Sequence, residues 1–574
     1  MVRFNFTKKS RHKGEIAPDE IFLDSTNLPE FDTTQFEGRL DKPISRWSLY
    51  SVGIFFMLVL GAFAFRLSSL QIMHGSSYAS MSVDNTLRST PIFGARGVIY
   101  DRNGVAITWN APADITSTTT TDESGETLPI RKYTALPGFA HTLGYVQYPS
   151  KDSAGFYYQE DFEGLAGVEK YFNEQLQGTN GLKLVQVDAH GNVQSQNIIK
   201  PPKEGQSLNL SIDARVETAL YNGIAAVADN NSFKGGAGII MDVHTGEVIA
   251  DTSYPEYSPE VMSEKTDVAK IRAYLNNPDK PFLDRVINGL YTPGSIVKPY
   301  MALAALNEKL IDPNKVINGQ AYLSIVNPYD STKFTLFHDW QAQGPEDMKR
   351  AIAMSSDYYF YIVGGGYKDQ QGLGINRIDS YMKQFGFGQA ISSTTDSYFT
   401  GVAGNVPSPA WKAANFKGEG WYLGDTYHSA IGQYSWLVSP VQVVRAVAAI
   451  ANNGTLIDPT ILKGAQGKVF GTVSISKADF DVVRLGMQMG AHTGVARVLN
   501  LPFVNIAAKS GTAELGASRT QVNSWITGFW PYENPKYAFA VMLENGSVHE
   551  TIGAAAAMVH ALKEMSTTSP EYFK

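Results

Sequence analysis

The chain has 574 residues, of which 43% are hydrophobic and 18% charged, and a formal net charge of −7. That length exceeds one hydrophobic core and predicts roughly two to four domains, while the acidic balance argues against a nucleic-acid partner. The absence of cysteine excludes disulfides and thiolate metal sites and is compatible with an oxidising compartment.

Residues 1–46 are polar, with Lys8, Lys9, Arg11 and Lys13 ahead of scattered acids, and predict a flexible tail. Residues 47–65 are uncharged and apolar and, at 1.5 Å per residue, reach across roughly 28 Å of hydrocarbon. Arg39, Lys42 and Arg46 precede the run, and Arg66 is the basic residue that follows it closely. The charge bias predicts a single membrane helix at 47–67, a cytoplasmic N-terminus and an extracytoplasmic remainder, at the inner (cytoplasmic) membrane. Ala62-Phe63-Ala64 has the form of a signal-peptidase site, but the tail and the apolar core are longer than signal peptides use, which favours a retained anchor.

Residues 66–87 continue the anchor as a stalk. The segment 93–107 predicts a hairpin around Asn103-Gly104, residues 116–127 a loop, 164–172 a short helix, and 178–193 strands with turns. Nothing over 68–205 has the look of a reaction centre, so this part is expected to be a mostly β pedestal that spaces or docks. A boundary is expected at Pro201-Pro202-Lys203-Glu204-Gly205, with a second domain over 206–574. There, residues 208–212 predict a strand, 213–228 a helix, and 238–243 with 247–251 a hairpin around His244-Thr245-Gly246. Residues 524–530 and 537–543 predict the last strands, and 554–565 a helix. Strands at both ends and helices between them predict a mixed α/β fold: an antiparallel sheet closed by pairing its first and last strands and flanked by helices. No repeat of a solenoid's period is visible.

Three stretches carry candidate chemistry. Pro293-Gly294 breaks the chain ahead of Ser295, and helix formers follow from Met301, so Ser295 is expected near a helix N-terminus with Lys298 on the same face. A serine hydroxyl needs a base to become a nucleophile, and an adjacent lysine supplies one. Pro299 has no N–H to return to the Ser295 carbonyl, so that turn should be irregular. Ser-x-x-Lys also occurs at Ser10 and Ser474, so the pattern alone is weak. The second stretch is Ser355-Ser356-Asp357, where Ser355 or Asp357 is either a helix cap or, respectively, a proton relay and a partner for Lys298. The third is Lys509-Ser510-Gly511-Thr512, strand-like, with a cation and two hydroxyls suited to a peptide's terminal carboxylate and a glycine where a ligand backbone approaches; its bland reading is a surface strand with an exposed lysine. There is no Gly-x-Ser-x-Gly elbow, Walker A loop or His-Glu-x-x-His, and no cofactor is called for.

In this order, the three stretches resemble the active-site motifs of penicillin-binding proteins and serine β-lactamases. The wider match, at residues 96–104, 164–171, 241–250, 424–426, 431–433 and 524–531, resembles class B penicillin-binding proteins over about residues 66–560. The resemblance implies the penicillin-binding transpeptidase fold and a monofunctional D,D-transpeptidase that cross-links peptidoglycan stem peptides and is acylated by β-lactam antibiotics. It implies Ser295 as nucleophile, Lys298 as base and Ser355 as proton relay, with Lys509, Ser510 and Thr512 binding the substrate carboxylate. It also implies an oxyanion hole from the N–H groups of Ser295 and Thr512. Asp357 stands where the family usually has Asn, as in the elongation-type penicillin-binding protein 2 group, which Phe337-His338-Asp339-Trp340 also resembles. Gly432-Gln433-Tyr434 replaces the usual Gly-Gln-Gly. A glycosyltransferase partner of the SEDS family is implied by the same likeness. Competing expectations are a septal transpeptidase, a D,D-carboxypeptidase or β-lactamase, a β-lactam sensor, and a non-catalytic activator of a membrane glycosyltransferase.

Overall fold

The computed structural model describes residues 45–111, 128–153, 157–187, 193–327, 330–391, 398–516, 518–548 and 553–574. The expected tail over 1–44 and the expected loop at 116–127 lie outside them. The described chain forms two compact units, one of residues through Leu87 and one holding the pedestal and all that follows.

In the first unit Arg46–Ser68 is an α-helix, begun by the Ser45 hydroxyl accepting the Trp47 N–H. It runs on through a π-helical turn, Ser69–Met73, and a second helix, Gly75–Thr86. Trp47, Phe55, Phe56, Leu58 and Phe63 are all exposed. An apolar surface on every side of a helix fits a lipid surround, and Arg46–Met73 is long and apolar enough to cross a membrane.

In the second unit the predicted hairpin is formed by Ile99–Tyr100 and Ala106–Ala111, which pair antiparallel. Asp101 Oδ1 accepts the N–H groups of Asn103 and Val105, both at 2.8 Å, and Gly104 takes φ 82°, so the turn is closed by a side chain. Ile130–Tyr133 and Leu208–Asn209 complete a four-stranded sheet, the latter parallel to Ile99–Tyr100. The strand expected at 208–212 therefore stops at Asn209 and pairs with the pedestal. Asp213 then caps the helix Ala214–Asn230, its carboxylate accepting the Arg215 N–H at 3.0 Å. Within the pedestal, buried Glu169 holds Arg96 at 2.5 Å and Arg131 at 2.7 Å, tying the short helix Gly167–Tyr171 to the sheet.

The central sheet has five antiparallel strands in the order Val248–Tyr254, Gly235–Asp242, Tyr537–Ser547, Gln521–Trp530, Ala507–Leu515. Of this sheet's strands, the first in chain order pairs with the last along its whole length, from Gly235 opposite Glu544 to Asp242 opposite Tyr537. Side chains alternate between two cores. Ile240, Ile526 and Val541 pack against Leu220 and Ile224 of Ala214–Asn230 and against Ala557 and Leu562 of the helix Ala554–Thr568. Ile239, Met241 and Trp525 lie in the other core with Tyr300, Leu303 and Val443. Each buried Val, Leu, Ile or Met side chain among them contributes about 1.5–3 kcal/mol, and along the strands the period-two pattern fixes which core a side chain joins. The strand Ala507–Leu515 is left at the sheet edge, facing the turn that carries Ser295.

Candidate active site

Ser295 lies in a 3₁₀ turn, Gly294–Val297, that leads into the α-helix Lys298–Asn307. The Lys298 N–H donates to the Ser295 carbonyl, closing an i to i+3 turn where Pro299 has no N–H to close an i to i+4 one. The turn is clamped from two sides by glycines. Gly294 takes φ 57°, and a Cβ there would sit 2.6 Å from the Thr512 carbonyl oxygen. A Cβ on Gly511 would meet the Pro293 carbonyl oxygen at 2.7 Å and Ile296 Cγ2 at 2.8 Å. Gly511 was expected to make room for a ligand backbone; the backbone it admits is the chain's own turn.

Lys298 is fully buried, and its amine donates to the Ser355 carbonyl at 2.6 Å, Asp357 Oδ1 at 2.6 Å and Ser355 Oγ at 3.3 Å. Lys509, 1% exposed, donates to Ser355 Oγ at 2.8 Å and to the Ser510 carbonyl at 2.7 Å. The Ser355 hydroxyl thus accepts from both lysines and keeps its own proton free to donate. Among the described residues Ser295 Oγ has no hydrogen-bond partner, so the nucleophile is not yet joined to Lys298. Burial, and then the neighbouring Lys298 charge, hold the Lys509 amine well below the ordinary lysine value, with Asp357 opposing. Burial raises the Asp357 carboxyl, and the Lys298 charge counters that rise.

Neither Ser355 nor Asp357 caps the second helix. Ser355 ends the helix Met348–Met354 in a left-handed conformation, φ 59° and ψ 36°, and Ser356 caps Asp357–Gly365 by accepting the Tyr359 N–H. This division of labour leaves Ser355 and Asp357 free to face Lys298. On the strand, Lys509 and Gly511 turn toward the helical side, whereas Ser510 is half-buried and Thr512 exposed on the alternate face. The lysine of the third stretch is therefore not a surface lysine.

Sequence reasoning passed over the groups behind Ser356. The Ser356 hydroxyl lies 3.0 Å from Asp339 Oδ2 and 2.6 Å from Glu346 Oε1, all three residues being buried. Asp339 was visible only as part of Phe337-His338-Asp339-Trp340, with no role attached. Among the described residues no group of three or more His, Cys, Asp or Glu is placed to hold a metal ion.

Residues 236–564 match the family model of the penicillin-binding protein transpeptidase domain, and residues 124–210 that of the penicillin-binding protein dimerisation domain. The chain is 29% identical to Peptidoglycan D,D-transpeptidase MrdA of Acinetobacter baumannii, over 87% of this chain and 84% of that protein. It is 30% identical to the protein of the same name in Haemophilus influenzae, over 72% of this chain and 66% of that one. Among solved structures it is similar to Pseudomonas aeruginosa PBP2, with a TM-score of 0.66 and 28% identity, covering 85% of this chain and 98% of that one. With its transpeptidase match extending over more than half of its length, the chain belongs to the penicillin-binding protein transpeptidase family.

Proposed function

We propose that this protein is a serine-type peptidoglycan D,D-transpeptidase that cross-links stem peptides during cell elongation. The observation that carries the reading is the convergence of Lys298 and Lys509 on the Ser355 hydroxyl beside the Ser295 turn. Ser295 Oγ attacks the penultimate D-alanine carbonyl of a donor stem peptide. The Lys298 amine, acting in its neutral form with a lone pair free, takes the Ser295 proton, and the oxyanion is met by the N–H groups of Ser295 and Thr512. The carbon–nitrogen bond then breaks, Ser355 delivers a proton to the leaving D-alanine, and an acyl ester remains on Ser295. An amine of a neighbouring stem peptide attacks that ester, gives up its proton through the same groups and restores the serine. Lys509, Ser510 and Thr512 bind the donor's terminal carboxylate, which adds a counter-charge to the one that Asp357 supplies to the buried Lys509. Asp357 orients Lys298. β-Lactam antibiotics acylate the same serine.

Support for the elongation assignment comes from relatives named MrdA and from Asp357 in the middle motif. We place the anchor helix in the inner membrane with the catalytic unit outside, consistent with the basic residues ahead of it. A membrane glycosyltransferase of the SEDS family is the proposed partner. At the level of fold, the chain is also similar to one from a peptidoglycan synthase complex described as coordinating polymerisation and cross-linking, at 23% identity.

The test supplies the full-length protein with donor and acceptor stem peptides and follows D-alanine release together with cross-linked product. Cross-links from the wild type and none from Ser295→Ala support the reading. D-Alanine release without cross-links makes it a carboxypeptidase.

A further inference from the structure

Ser356 occupies the position between Ser355, which both lysines touch, and Asp357, which holds Lys298. Its hydroxyl is within hydrogen-bond distance of two carboxylates, Asp339 Oδ2 at 3.0 Å and Glu346 Oε1 at 2.6 Å, and it also accepts the Tyr359 N–H at 3.1 Å. A hydroxyl has one proton, so it cannot donate to both acids. With both carboxylates ionised, one of the two contacts on this buried oxygen would bring a negative oxygen against a lone pair with no proton between them, which the interior does not tolerate. A second proton is required.

The donors around the two acids say where it sits. Asp339 accepts the Tyr358 N–H on Oδ2 at 2.9 Å and the Trp340 N–H on Oδ1 at 2.8 Å, both of which favour its charged form. Among the described residues Glu346 has only Ser356 on Oε1, and its buried Oε2 has no partner. Resting on the reading of Ser295 as the acylated serine, we propose that Glu346 is a positioning residue that acts as a neutral carboxylic acid, donating to Ser356 Oγ, which donates to Asp339. This chain pins the turn that aims Ser355 and Asp357 at the two lysines.

Burial pushes the Glu346 carboxyl up to about 7, with Asp339 adding to the rise and Ser356, Lys298 and Arg350 opposing it. The groups around it are Asp339 from the segment after the strand Asp330–His338, Lys298 from the helix that follows Ser295, Asp347 and Arg350 at the start of Met348–Met354, and Tyr359 from the capped helix. When Glu346 ionises, Ser356 faces two negative charges and one contact opens. Ser355 sits beside it in a left-handed conformation that a non-glycine residue holds only under constraint, so the Ser355 hydroxyl shifts away from both amines.

The experiment follows acylation of the full-length protein by a labelled penicillin across neutral pH, in the wild type, Glu346→Gln and Ser356→Ala. Glutamine keeps an N–H to donate to Ser356 and has no charge to gain. The wild-type rate is expected to fall about tenfold per pH unit above a midpoint near 7. Glu346→Gln should keep the neutral rate and lose that limb, and Ser356→Ala should lower the rate at every pH. The infrared difference between the wild type and Glu346→Gln provides a readout independent of turnover: after the bands of other buried acids such as Asp284 and Glu217 cancel, one protonated-carboxyl band should remain and disappear across the same pH range. Identical pH profiles for wild type and Glu346→Gln, or no such band, overturn the proposal. A wild type that shows the band but takes no label refutes the transpeptidase reading alone.

Discussion

Lys509 Nζ donates to Ser355 Oγ across 2.8 Å, joining the edge strand of the sheet to the turn between two helices. The hydroxyl belongs to a residue in left-handed backbone geometry, and Lys298 reaches it from the third element. Removing it breaks the only atom that both amines share among the described residues. Ser355→Ala should slow acylation by labelled penicillin about 10²- to 10⁴-fold, and should lower the thermal transition by a few degrees because two buried amines lose a shared acceptor, with the protein still folded at assay temperature. An unchanged rate would remove Ser355 from the proton path.

Lys509 also makes stability depend on pH. Its folded pKa is depressed, so at pH values between that value and the ordinary lysine value of about 10.4 the unfolded chain binds more protons than the folded one. Stability therefore rises with pH through that window and is lost as pH falls through the folded pKa. Denaturant titrations at stepped pH should show this slope flattened in Lys509→Met.

Gly511 tests the clamp between strand and nucleophile. A Cβ there lies within 2.8 Å of both Pro293 O and Ile296 Cγ2, so Gly511→Ala must push the strand away from the Ser295 turn. A displacement of about 1 Å in a reacting group costs on the order of 10²-fold in rate. Acylation kinetics should show that loss without loss of the folded state.

Much of this arrangement can be read from residue types and spacing. Pro299 announces the irregular turn, and apolar runs around Asn103-Gly104 and His244-Thr245-Gly246 mark two hairpins. The runs 238–243 and 537–543 anticipate the closing strand pair of the sheet. What remained hidden depends on contacts between distant residues. Ser355, Ser356 and Asp357 are all competent caps, and only the left-handed backbone at Ser355 settles that Ser356 does the capping. Gly511 has a ready explanation in ligand approach, and only the packed turn reveals its actual neighbour. Glu346 reads as one acid among many until folding brings it to Ser356.

Tyr434 departs from the glycine usual in the family, yet it keeps the backbone a glycine would adopt, φ 75°. Its ring meets Trp411 and Trp421 edge-on, with centroids 6.1 Å and 5.7 Å away, and these contacts offset the strain. The neighbouring Gly432 accepts the Gly294 N–H at 2.9 Å, tying this loop to the nucleophile's turn. A β-branched residue suffers most in that conformation, so Tyr434→Val should be less stable than Tyr434→Gly by about 1–3 kcal/mol in urea unfolding. Equal stabilities would show that the loop does not impose the geometry.

The central claim is that one hydroxyl takes the acyl group. Full-length protein treated with labelled penicillin, digested and read by mass spectrometry should carry the adduct on the peptide containing Ser295. Ser295→Ala, folded to the same extent, should carry none. An adduct on another serine, or labelling that persists in Ser295→Ala, would contradict the account.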